Sequence, residues 1–158
     1  LVSILCLSMA EHNYAREIQF GGMKSRKEIK STAAGHMNNG LPFSGKRYYI
    51  QPAAAGGLWT NSSHYAKFVI ELQKSYAGRS DKIISSALAK EMLSPHVSKQ
   101  YGLGVFMREI DGEINYFGHM GDNKGFFAGY ISHLTDGYGI KVFTICPSLS
   151  DSSRSPSS

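Results

Sequence analysis

The chain has 158 residues, 42% of them hydrophobic and 18% charged, with a formal net charge of +5. That length supports one domain with a real core, and no apolar run is long enough to span a bilayer as a helix. The basic residues are scattered apart from a cluster over 24–30, and with no basic helix and no platform of interleaved aromatics, nucleic acid is not an expected partner.

Residues 1–10 are apolar and end Ser8-Met9-Ala10, small residues of the kind a signal peptidase accepts. They read as a signal remnant, which would put the protein in a secreted, periplasmic or cell-surface location, or as a buried strand. Cys6 and Cys146 lie near opposite ends with no pairing spacing, so free buried thiols are expected. Residues 11–20 read as a short helix closed by Gly21-Gly22, and 24–30 as a solvated basic stretch. Residues 31–51 are rich in turn signals, Asn38-Asn39-Gly40, Pro42 and Ser44-Gly45, and form a long irregular connection. His36 within it has no partner at metal-ligand spacing, so no metal site is expected.

Small residues then crowd together at Ala53-Ala54-Ala55-Gly56-Gly57, followed by Leu58, the sole tryptophan Trp59, and Thr60. Thr60, Asn61, Ser62 and Ser63 offer helix caps, and Tyr65, Phe68, Val69, Leu72 and Tyr76 make one apolar stripe that Gly78 ends. A second helix is expected over 83–93, with Ile84, Leu88 and Met92 on its buried face and Pro95 beyond it. From Tyr101 the period becomes two, with Asp111-Gly112 and Asp136-Gly137 as hairpin turns. Strands are expected over 101–108, 113–118, 126–134 and 140–146. The fold class is therefore α+β, an antiparallel meander packed with helices. Residues 148–158, serine-heavy and polar, are expected to be a disordered tail.

The chemically pointed stretch runs Tyr116-Phe117-Gly118-His119-Met120-Gly121-Asp122-Asn123-Lys124-Gly125-Phe126. It puts a histidine at the end of a strand, beside glycines that let a ligand approach the backbone. Backbone N–H groups there can donate to an oxyanion. The same pattern also describes a tight strand connection whose histidine faces solvent.

Three stretches in order, Ala54-Ala55-Gly56-Gly57-Leu58-Trp59-Thr60, Tyr101-Gly102-Leu103-Gly104-Val105 and the run 118–126, resemble the C-terminal part of the serine β-lactamase and penicillin-binding-protein-like hydrolases. The branch most resembled holds class C β-lactamases, D-aminopeptidases and related esterases. The resemblance covers 31–147, leaves 1–30 unassigned, and implies part of a β-lactamase/transpeptidase-like fold. It makes His119-Met120-Gly121 the edge-strand motif, with His119 orienting substrate, Gly121 admitting the substrate backbone and the Asp122 N–H serving as an oxyanion donor. Met120 and Asn123 are the implied substrate contacts, and no cofactor or metal is implied.

The resemblance is incomplete. No lysine has a serine three residues before it, so the family's Ser-x-x-Lys nucleophile motif is absent. Tyr-x-Asn is absent too, and the one Tyr-x-Ser, Tyr130-Ile131-Ser132, follows the histidine motif instead of preceding it. The expectation is a fragment of a serine hydrolase of amides, β-lactams or esters that is inactive alone. The alternative is a non-catalytic module binding peptidoglycan or a partner. A sheet edge left unpaired by the missing part would invite a partner chain or an oligomer.

Overall fold

The computed structural model describes residues 19–20, 32–44, 58–123 and 125–145. The signal-like segment, both cysteines, most of the small-residue run and the serine-rich tail lie outside these residues. Strand β1 (Gln19–Phe20) pairs antiparallel with β2 (Leu58–Trp59), placing Gln19 opposite Trp59. The helix expected over 11–20 is thus corrected at its end, because a ladder partner forty residues away outweighs weak local preference.

Helix α1 (Ser62–Tyr76) starts where the caps predict: Asn61 Oδ1 accepts the N–H of His64 at 2.9 Å. Gly78, at φ +70°, ends it. Phe68, Val69 and Leu72 are buried, and Tyr65 and Tyr76 pack against the same core. Helix α2 is only Ser86–Met92, capped by Ser85. Its buried face is Ala89 and Met92, whereas Leu88 is 44% exposed. Ile83 and Ile84 are buried but precede the helix, so the expected stripe through Leu88 is corrected.

Four strands follow as a meander, β3 (Phe106–Ile110), β4 (Glu113–Asn123), β5 (Phe126–His133) and β6 (Gly139–Thr144), each antiparallel to the next. Asp111 and Gly112 both take positive φ, 55° and 82°, as a two-residue hairpin turn of the twist-matched kind requires. Residues 101–105, expected as strand, form bends and isolated bridges instead, with Gly104 at φ +79°. A register shift between Arg108 and Glu109 adds a bulge to β3. Val105, Met107 and Phe117 bury against the helices in one core with Leu72, Met92 and Leu93. Gln73, buried on α1, donates through Nε2 to the carbonyls of His133 (2.6 Å) and Tyr138 (3.3 Å) and so ties the helix to the β5–β6 turn.

The 32–44 loop is more ordered than its turn signals suggest. Met37 N–H donates to Leu41 O and Phe43 N–H to Gly35 O, both at 2.8 Å. His36 N–H reaches Ile145 O at 3.1 Å and Gly125 O at 3.3 Å, docking the loop on the end of the sheet. Trp59 packs edge-on against Phe126 at 5.8 Å, beside the same end.

Candidate functional site

The 118–126 stretch does not break into a strand end and a loop. β4 runs on through His119 to Asn123, paired with β5 all the way: His119 opposite Tyr130, Gly121 opposite Ala128, Asp122 opposite Phe127. Its pairing with β3 stops at Gly118, which faces Phe106. Among the described residues, β4 therefore has a ladder partner on one flank only from His119 onward. Antiparallel pairing points successive N–H and C=O groups to alternate flanks, so this stretch offers every second residue's backbone to the open side. The expectation of a histidine at a strand end is corrected: the strand outlasts its neighbour, and that difference in length creates the opening.

His119 is exposed, and its imidazole stacks on Phe106 with ring centroids 5.1 Å apart and planes 19° apart. Phe106 in turn packs edge-on against Tyr101 at 5.3 Å. Phe106 covers one face of the imidazole, whose nitrogens take no protein hydrogen bond among the described residues. Sequence reasoning missed Phe106, which looked like one residue in an alternating strand; only the late start of β3, at Phe106 itself, brings its ring over His119.

Gly121 is exposed, and a Cβ built there meets nothing within 4 Å. The space over this residue is open to a ligand backbone. Gly118 differs: a Cβ there would run into the carbonyl of Tyr130, so this glycine serves strand packing. Met120 is 59% exposed, and Asp122 is exposed beside it. Asn123 closes the strand, and the following turn is buttressed by the docked loop. Gly125, at φ +79°, leaves room for the Phe43 ring and the His36 amide. His119, Met120, Gly121, Asp122 and Asn123 thus share one strand segment, where a strand end and a loop were expected.

Tyr130, from the out-of-order Tyr-x-Ser, lies on β5 directly opposite His119, and burial next to Tyr65 pushes its phenol well above the usual value. Such a tyrosine holds its proton and is a poor base. His36, half-buried, has an enclosed Nδ1 without a hydrogen-bond partner, and no group of three His, Cys, Asp or Glu side chains fit to hold a metal occurs among the described residues. No helix among them is long and apolar enough to cross a membrane.

Neither a family model nor a curated protein matches the chain. Solved structures do. A penicillin-binding protein from Bacillus halodurans superposes with a TM-score of 0.67 at 18% identity, over 92% of this chain and 44% of that one. The fold is that of a penicillin-binding protein, in part. An octameric penicillin-binding-protein homologue from Pyrococcus abyssi matches with a TM-score of 0.65 at 20% identity, over 89% of this chain and 32% of that one. The chain thus spans less than half the length of either structure. The α+β penicillin-binding-protein-like architecture is the one the motifs implied.

Proposed function

We propose that this chain supplies the substrate-holding wall of an acyl-transfer site related to the β-lactamases and penicillin-binding proteins. The observation carrying this reading is the run of β4 beyond β3, which leaves His119–Asn123 with an open flank and an uncluttered Gly121. An extended peptide or lactam amide adds to such a flank as a further strand would, through backbone hydrogen bonds. His119, stacked on Phe106, orients the bound acyl group, Met120 and Asn123 contact it, and Asp122 N–H is the assigned oxyanion donor. One such donor lowers the barrier by about 3–4 kcal/mol when a nucleophile is present.

No Ser-x-x-Lys occurs in this sequence, so the chain binds such substrates without forming an acyl-enzyme. The domain reading follows: 31–147 carry the wall, with 1–30 and 148–158 outside it. Within 1–30, Gln19–Phe20 form β1, which pairs with β2. Peptidoglycan-like peptides place the site of action beyond the cytoplasmic membrane. The outer edge of β6 and the exposed Ile140 and Val142 form the surface on which a partner chain or second copy completes the sheet.

Incubation with a fluorescent penicillin, followed by denaturing gel and by equilibrium binding, tests the reading. Reversible, saturable binding without a covalent band is expected, weakened when Gly121 is replaced by Val. A covalent band would show that a nucleophile had been overlooked, and no binding at all would remove the assigned wall.

A further inference from the structure

A second unusual position lies away from the open flank of β4. Lys141 is in the middle of β6, opposite Tyr130 and beneath α1. Its Nζ sits 3.0 Å from the centroid of the Tyr65 ring, with Phe143 and Tyr130 at 5.0 and 5.4 Å. The nitrogen is shielded from solvent and has no hydrogen-bond partner, and no carboxylate pairs with it among the described residues. Tyr65 from α1 and Tyr130 from β5 are the titratable groups facing it, and burial pushes the Tyr130 phenol well above its usual value. An ammonium has three N–H donors to satisfy, and ring faces meet that need only in part.

We infer that Lys141 is a reactive-amine site that condenses reversibly with a small aromatic or apolar aldehyde or ketone. In the first step the neutral Nζ lone pair adds to the carbonyl carbon and the C=O π pair moves to oxygen. Water carries a proton from nitrogen to that oxygen, giving a carbinolamine, and loss of one water molecule leaves the C=N bond of the imine. No oxidant, reductant or metal takes part. The three rings give the amine an apolar surrounding, which suits an aromatic or apolar substituent on the carbonyl. Phe143, 36% exposed, is the most exposed of the three aromatic residues, and a swing of the four-carbon stem toward it would bring the amine to solvent. Burial supports the same assignment, lowering the lysine from 10.5 to about 7, so that much of it is neutral at physiological pH.

The test treats the full chain at pH 7.5 with benzaldehyde and sodium cyanoborohydride, which reduces any imine to a stable secondary amine, and maps the labelled peptides by mass spectrometry. Exposed Lys90 is the internal comparison. Lys141 should be labelled at least about tenfold faster than Lys90, since an ordinary solvated lysine is almost wholly protonated at this pH. The preference should vanish in urea, and the Lys141-to-Lys90 ratio, in which the acid dependence of the iminium reduction cancels, should fall as pH rises from 7.5 toward 10. Native labelling of Lys141 no faster than Lys90, or a preference that survives urea, overturns the assignment. All readouts come from the unsubstituted chain, so they do not depend on a variant folding, and they are independent of penicillin binding.

Discussion

Gly118, Gly121 and Gly125 share one short stretch yet answer to different constraints. At Gly125 two coincide: the positive φ of 79° and the closeness of the Phe43 ring, 2.6 Å from a built Cβ. Gly125→Ala should cost about 1–3 kcal/mol, from backbone strain together with a displaced loop. Gly121→Ala, with open space around it and no such φ, should stay within about 0.5 kcal/mol. Urea denaturation of both variants checks the contrast, and equal losses would contradict it. Lys141 sets a pH dependence at the same scale. Its folded value, about 7, lies below the ordinary 10.5, so the folded state binds fewer protons than the unfolded state between those values. Stability therefore rises as pH climbs from about 7 toward 10.5, and the cost of charging the buried amine is fully present below that window. Lys141→Met keeps the stem and removes the amine; its melting temperature should exceed that of the original chain at pH 6, and the rise above pH 7 should flatten. A steeper rise in the variant would refute the burial argument.

The elements differ in how locally they are determined. α1 carries its own start signal, and Asn61→Ala should destabilise the fold by about 1 kcal/mol, measurable as a lower urea midpoint at unchanged m-value. The Asp111-Gly112 turn is equally local, since two consecutive positive φ values select those residue types. The length of β4 is not local. Its residues from His119 onward are each glycine, polar or exposed, and they remain strand because β5 runs alongside them to Phe126. β3 begins late for the complementary reason: residues 101–105 are drawn into other bonds, with Leu103 N–H donating to Met92 O at 2.9 Å and Gly102 N–H to Val105 O at 3.0 Å. The candidate site is the offset between these two strands, so it belongs to the pair and to neither strand alone.

At the scale of the whole molecule, the two helices among the described residues leave part of the sheet uncovered. Ile140 and Val142 are 65% and 46% exposed on alternate positions of β6, and the chain reproduces less than half of either penicillin-binding-protein structure it resembles. Among the described residues β6 is an outer strand, and its single charged residue, Lys141, is turned under α1 and does not guard that edge, which favours association. Sedimentation should therefore show concentration-dependent assembly, and the double variant Ile140→Lys, Val142→Lys should shift it toward monomer. Monomers at all concentrations for the original chain would count against the exposed edge as an interface.

Read alone, the order of residues determined α1, the Asp111-Gly112 and Asp136-Gly137 turns and the antiparallel meander, because each depends on periodicity or backbone preference within a few positions. Which strand outlasts its neighbour, which ring covers His119 and where the Lys141 amine comes to rest were decided by the tertiary structure. Those outcomes arise from competition between partners far apart in the chain, and no local preference of Phe106, Tyr65 or Lys141 records it.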